Sequence, residues 1–285
     1  MTSIQTPDYT GIKGRQRQTW GSGDYHVIAA MIVPTAERLC DAVGLRASER
    51  VLDVATGTGN AAIAAARRLC TVTGVDYAAS LLARARARAE AEGLPITFAE
   101  EDAEALSAED GAYDVVLSTF GVMFSPDQAQ AARELLRVCR PGGRIGLANW
   151  TPEGWVGEML RIVGRYVAPP AGLRPATRWG TEDGLRDLLA DGVQSLQATH
   201  QTFVWRFASP EQYLHLFRSY YGPMVKAFEV LDEPGQRALA NDLRQAMERF
   251  ARPAGSTFLV PADYLEVVAI KLGDARSTSS VDAGP

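Results

Sequence analysis

Val51-Leu52-Asp53-Val54-Ala55-Thr56-Gly57-Thr58-Gly59-Asn60, followed by the alanine-rich run from Ala61 to Leu69, decides how the rest of the chain is read. A short β-branched and aliphatic run, Val51 to Val54, stops at Ala55. A turn with two glycines comes next, and a helix opens at Asn60. Strand, glycine loop and helix make the first βα unit of a doubly wound sheet, in which ligands sit at the carboxyl ends of the strands. Gly57 and Gly59 allow positive φ and carry no Cβ, so backbone N–H groups can come close to a ligand. The helix N-terminus beyond them favours a negative group through its dipole and its unpaired donors. The stretch therefore predicts a nucleotide-like ligand. Gly57-x-Gly59-x-x-Ala62 also meets the loose dinucleotide fingerprint, so NAD is open at this point.

Downstream, Cys70 to Val75 reads as a second strand ending in Asp76. An acid at that strand end is placed to accept hydrogen bonds from ribose hydroxyls. A carboxylate there can also cap a helix starting at Ala78, but the glycine loop favours the ribose. Tyr77, beside it, is a candidate for the adenine face. In the next helix, Ser80 to Glu92, Leu81 and Leu82 point inward, and Arg84, Arg86 and Arg88 read as a solvated face. Pro95 to Ala99 is strand three, closed by Glu101-Asp102-Ala103. Tyr113 to Ser118 is a buried strand of the kind parallel sheets need, and Thr119 to Phe124 follows at its carboxyl end. Asp127 to Cys139 has the spacing of an amphipathic helix, and Arg140-Pro141-Gly142-Gly143-Arg144 reads as a turn into strand five, Ile145 to Asn149.

Asp53-x-Ala55-x-Gly57-x-Gly59 resembles motif I of the class I S-adenosylmethionine (SAM)-dependent methyltransferases, with Ala in the first small position. Asp76, Asp102-Ala103 and Leu136-Arg137-x-Cys139-Arg140-Pro141-Gly142-Gly143 stand at the family's other stations in order and spacing. Residues 46 to 150 resemble that core, in the branch that includes the ubiquinone and menaquinone biosynthesis C-methyltransferases, and the resemblance fades after Trp150. It implies an α/β, Rossmann-like seven-stranded sheet with helices on both faces and the last, antiparallel strand inserted between strands five and six. It also implies SAM as cofactor and S-adenosylhomocysteine (SAH) as product. Ala55, Thr56, Gly57 and Gly59 would lie against it, Asp76 and Tyr77 at the ribose and adenine, and Thr119 and Phe120 near the methionine part. In the family the acid at Asp102 accepts the adenine amine and the N–H at Ala103 reaches a ring nitrogen, which the dinucleotide fingerprint does not require.

The flanks are read from pattern. Residues 1–18 are polar and read as a mobile arm. Trp20-Gly21-Ser22-Gly23-Asp24-Tyr25-His26 places glycines between aromatics and reads as a lid carrying Trp20 and Tyr25 over the cofactor, ahead of packing helices that complete a 1–45 segment. Ser195 to Phe207 alternates like a strand, and Tyr264 to Lys271 is the last strand, within 253–272. Residues 151–208 finish the sheet, and 209–252, with the aromatics Tyr213, Phe217, Tyr220 and Tyr221, read as a helical substrate cap inserted between the last two strands. The tail from 273 to 285 is Ser-, Asp- and Gly-rich and reads as disordered.

Composition narrows the function further. The chain has 285 residues, 46% hydrophobic and 22% charged, with a net charge of −5, which argues against a nucleic-acid surface. Three scattered cysteines, Cys40, Cys70 and Cys139, read as free thiols of a reducing compartment, and the three histidines have no metal-ligand spacing. No apolar stretch approaches a membrane span, so a cytoplasmic protein with no membrane partner is expected. The expected partner is a small, apolar or aromatic methyl acceptor, and a homodimer stays open. Methyl transfer needs alignment and, for some nucleophiles, a base; His26 is the first candidate and Tyr25 the second. Two other readings stand beside it: a protein of this fold that binds SAM or SAH without methyl transfer, as a scaffold or cyclase, and an NAD-dependent oxidoreductase.

Overall fold

The computed structural model describes residues 7–273. Its sheet grows from β1 (Arg50–Val54), whose Val51, Leu52 and Val54 are buried, as a strand covered on both faces requires. β1 lies between β2 (Thr71–Asp76) and β4 (Tyr113–Thr119), both parallel to it, with Val54 paired to Val75 and Leu52 to Val116. β3 (Ile96–Glu100) adds outside β2, and β5 (Cys139–Trp150) outside β4. β6 (Val193–Phe207) and β8 (Thr257–Lys271) complete the order β3-β2-β1-β4-β5-β8-β6, with β8 antiparallel to both neighbours. A three-residue β7 (Arg252–Ala254) pairs only with β8. This is the Rossmann-like class I methyltransferase sheet with that short strand appended.

Helices cover both faces: α3 (Val33–Val43), α4 (Asn60–Arg67) and α5 (Ala79–Ala91), then α6 (Gln128–Val138), α7 (Trp155–Tyr166) and α8 (Glu182–Leu189). Ala61 to Ala66 are all buried, which explains a helix made mostly of alanine: it is packed on every side and has no room for larger residues. Among the described residues no helix is long and apolar enough to cross a membrane.

Between β6 and β8 the chain forms α9 (Pro210–Tyr220), α10 (Gly222–Val230) and α11 (Glu233–Phe250). Tyr213 anchors this insertion: it is fully buried, stacked on Phe217 at 4.2 Å and edge-on to Trp155 of α7 at 5.5 Å. β6 and β8 run on together to Phe207↔Phe258, past the end of β5, whose pairing with β8 stops at Trp150↔Tyr264. The insertion is carried on that overhang.

Four expectations are corrected. The polar N-terminal segment is not a mobile arm over its described part: α1 (Tyr9–Trp20) is a helix capped by Asp8, whose carboxylate accepts the Gly11 N–H at 3.0 Å. It is docked by Lys13, whose Nζ donates to Asp102 at 2.6 Å and Glu104 at 2.9 Å. The last strand begins at Thr257, not Tyr264, because β6 supplies partners for the irregular stretch around Pro261. The segment 140–144 is a bulge inside β5: pairing jumps from Tyr113↔Cys139 to Val115↔Arg144, with Gly142 at φ 67°. Arg88 does not belong to a solvated face but turns in beneath the glycine loop, as described below. Residues 1–6 of the expected mobile arm, and the tail beyond 273, read as disordered, lie outside the described residues.

Candidate active site

The glycine loop is held in a left-handed path, with Ala55 at φ 52°, Gly57 at 56° and Gly59 at 86°. Asp53 ties its two ends together: one buried carboxylate oxygen accepts the Thr56 hydroxyl at 2.6 Å and the Ala62 N–H at 2.9 Å. Burial pushes that carboxyl up to about 7, against the pull of those two hydrogen bonds. From below, Arg88 Nη1 donates to the Thr58 carbonyl at 2.5 Å and to Asn60 Oδ1 at 2.7 Å, while Asn60 Nδ2 donates to the Ala29 carbonyl at 2.8 Å. The loop is thus fixed from three sides, and burial lowers the pKa of the Arg88 guanidinium.

Asp76, at the end of β2, is 8% exposed and accepts the Gly57 N–H at 2.9 Å and the Ala78 N–H at 2.8 Å. Burial raises its pKa to about 6 even with those bonds. A carboxylate oxygen has a second lone-pair position, so both oxygens can still accept from a ligand. Opposite, Phe120 sits at φ 56°, uncommon for a bulky side chain, with its N–H on the Ala148 carbonyl at 2.8 Å and its ring stacked on Trp150 at 3.8 Å. Gly121 next to it permits the approach of the two loops, since a Cβ there would lie 2.5 Å from the Ala55 carbonyl oxygen.

These elements border a cleft with about 730 Å³ of atom-free space. Ala55, Thr56, Gly57, Asp76, Tyr77, Ala103, Thr119 and Phe120 line it, and Trp20 and Tyr25 close over it. The space above Gly57 is open: the nearest atom to a Cβ built there is the Tyr25 ring at 3.9 Å. Three candidates are placed elsewhere. Gly59 packs its backbone against Ala85 of α5. Asp102 points to Lys13 and accepts the Glu104 N–H at 2.9 Å. His26 begins α2 (His26–Met31), lines no part of the cleft, and has its Nδ1 buried without a partner. Burial, then Arg88, lowers its pKa.

Asn60, Ala29, Ile32, Thr35, Leu81 and Ser125 also line the cleft and were not singled out from the sequence. Asn60 had a signal, its place directly after Gly59; the others carry none, because they reach the cleft from separate elements. His200 and His215 are exposed. Cys40, Cys70 and Cys139 are free and buried, and among the described residues no cluster of side chains could hold a metal ion.

A second, smaller chamber adjoins the cleft. Trp20, Tyr25, Ile32, Phe120 and Phe124 border both spaces, and Trp150, Trp205, Phe217 and Tyr221 form the far wall. Burial pushes the Tyr25 and Tyr221 hydroxyls well above the ordinary phenol range, Tyr25 with a further push from Asp76. Both are therefore hydrogen-bond donors at neutral pH and not bases.

Comparison with known proteins agrees with this geometry. A methyltransferase-domain family matches residues 51–143, the span from β1 to the bulge in β5. The demethylmenaquinone methyltransferase of Thermus thermophilus is 41% identical over 128 residues, 44% of this chain and 58% of that protein. Residues 51–143 thus carry a methyltransferase domain, on a sheet with the strand order of the class I methyltransferase fold. An uncharacterised Mycobacterium tuberculosis protein resembles this chain over nearly its whole length, 37% identical over 275 residues, 94% of this chain and 99% of that one. Among solved structures, the YcgJ protein of Bacillus subtilis covers 83% of this chain and 97% of its own at a TM-score of 0.58 and 18% identity. The [4+2]-cyclase SpnF covers 85% and 81% at 0.54 and 20%. At such identities the likeness is one of fold, and a cyclase among the neighbours shows that this fold serves more than one chemistry.

Proposed function

We propose that this methyltransferase moves the methyl group of SAM to a small, apolar or aromatic acceptor held in the aromatic chamber beside the glycine loop. The observation that carries the reading is that cleft and chamber share a wall, so a ligand in one lies against a ligand in the other. The cleft suits the cofactor. Gly57 leaves room for it, Asp76 has acceptor positions for ribose hydroxyls, and Tyr77 and Ala103 border the adenine end, where Lys13 already takes Asp102. Thr119 and Phe120 face the methionine end. SAM supplies a methyl group already activated by its positive sulfur. What the protein adds is alignment, which in favourable cases lowers a barrier by about 7–11 kcal/mol. Trp20 and Tyr25 above and the cap behind exclude water.

No charged side chain lines the chamber. Tyr25, the second candidate base, is better suited to donating a hydrogen bond, and His26 does not reach either space. The acceptor therefore brings a nucleophile that needs no carboxylate or imidazole to deprotonate it. The test is calorimetric titration with SAH, with NAD(H) as control, followed by transfer from labelled SAM to a panel of aromatic acceptors. Micromolar SAH binding with label transfer supports the reading. Binding of NAD(H) alone would sink it, and SAH binding with no transfer to any acceptor would favour a silent binder.

A further inference from the structure

Trp205 lies on the overhang of β6, where Phe203, Trp205 and Phe207 share one face at the two-residue period of a strand. Its ring is packed edge-on against Phe203 at 5.0 Å and Phe217 at 5.5 Å, and the residue is 3% exposed. Its indole Nε1 is buried and has no hydrogen-bond acceptor; neither the Tyr25 nor the Tyr221 hydroxyl takes it. A buried donor left without a partner is unfavourable and rare in native proteins. Trp205 is also a wall of the aromatic chamber. We infer that the methyl acceptor carries a carbonyl- or ether-type oxygen that accepts the Trp205 N–H, so that Trp205 fixes which edge of the acceptor faces the cofactor. This rests on the methyl-transfer reading and adds a chemical class to it: the acceptor is an oxygen-bearing ring compound, not a bare hydrocarbon. Trp205 is here a specificity residue, and the surrounding rings supply contact area to any flat molecule.

The test uses the full chain saturated with SAH, so that failure of SAH binding, which would defeat the cofactor reading, is seen before the chamber is probed. Acetophenone and α-methylstyrene are matched in shape and differ in a carbonyl oxygen against a methylene. The ¹⁵N-labelled protein is titrated with each, and the Trp205 indole resonance is identified by its loss in Trp205→Phe. Acetophenone is expected to move that resonance downfield and α-methylstyrene to leave it nearly still. Trp205→Phe is expected to lose about tenfold more affinity for acetophenone than for α-methylstyrene, the difference being the yield of one good hydrogen bond beyond the contact area both ligands lose. Equal affinities of wild type and variant for acetophenone, an indole signal that acetophenone does not move, or no binding of either compound would each overturn the inference. The wild-type resonance is a sufficient readout should the variant fold poorly.

Discussion

Asp76→Asn is expected to separate cofactor binding from stability, and pH makes the separation visible. The folded carboxyl titrates near about 6, raised by burial from an ordinary 3.8. At pH 8 it is ionised, and two ribose hydroxyls donating to a charged acceptor are worth about 1.5–3 kcal/mol each. The amide retains one acceptor oxygen, so the variant should lose about 3 kcal/mol, roughly a hundredfold in SAH affinity. At pH 5 only about a tenth of the wild-type carboxyl is ionised, so wild-type affinity should fall about tenfold and the gap between the two proteins should narrow by the same factor. Stability runs the other way. A folded pKa above the unfolded one contributes stability that is complete below about pH 4 and is lost as pH rises through about 6. At pH 8 the variant escapes that penalty, about 3 kcal/mol from the two pKa values, and gives back about 1–2 kcal/mol because the Gly57 or the Ala78 N–H loses its acceptor. A variant that binds SAH a hundredfold more weakly yet melts a few degrees higher at pH 8 is the expected signature. Calorimetric titration from pH 5 to 8, in buffers of different ionisation enthalpy, and thermal melts at both ends provide the data. A flat wild-type affinity across that range, or a variant with the full wild-type slope, would refute the reasoning. Asp53, near about 7 beneath the loop, accounts for whatever slope the variant keeps.

Arg88→Ala should free the Thr58 carbonyl and Asn60 and weaken SAH binding by about tenfold; Arg88→Lys should recover part of it, because a single nitrogen, Nη1, makes both bonds and an ammonium has three donors. An unchanged dissociation constant would show the loop needs no such brace. Lys13→Ala leaves Glu104 buried without its counter-charge, so α1 should be cut by protease much faster, and adding Glu104→Gln should slow cleavage again. Equal cleavage rates in all three proteins would mean α1 is held by its other contacts. Gly121→Ala places a Cβ 2.5 Å from the Ala55 oxygen and should lower stability by about 2 kcal/mol, seen as a melting point lower by about 3 °C.

The half of the chain around the glycine loop was legible because its signals are local. Asp53 to Gly59 and Asp76 are short runs whose chemistry follows from their order, and their strand-end positions follow from the βα pattern. The sixth and last strands and the inserted helices were legible as alternation and periodicity. What was missed depends on partners far away in sequence. α1 has a single buried residue, Ile12, and little amphipathic pattern; it is held by Lys13 reaching Asp102, 89 residues on. Arg84, Arg86 and Arg88 look alike in sequence, but only Arg88 meets the loop oxygens, which lie 28 and 30 residues earlier. The start of β8 was hidden because Pro261 and Asp263 are poor strand residues until β6 pairs with them. His26 was chosen for its chemistry, and no sequence pattern says which way a side chain at the first turn of a six-residue helix points.

The overhang of β6 and β8 separates two mechanical roles. Residues that grip the cofactor belong to loops at the strand ends, while the cap and Trp205 stand on a hairpin that extends beyond β5. A change in the cap therefore leaves in place the strands that set the loop. The demethylmenaquinone methyltransferase of Thermus thermophilus matches 44% of the chain and the mycobacterial protein 94%. Exchanging the segment beyond β6 between such relatives is thus a natural route to new acceptors, with the cofactor half inherited intact.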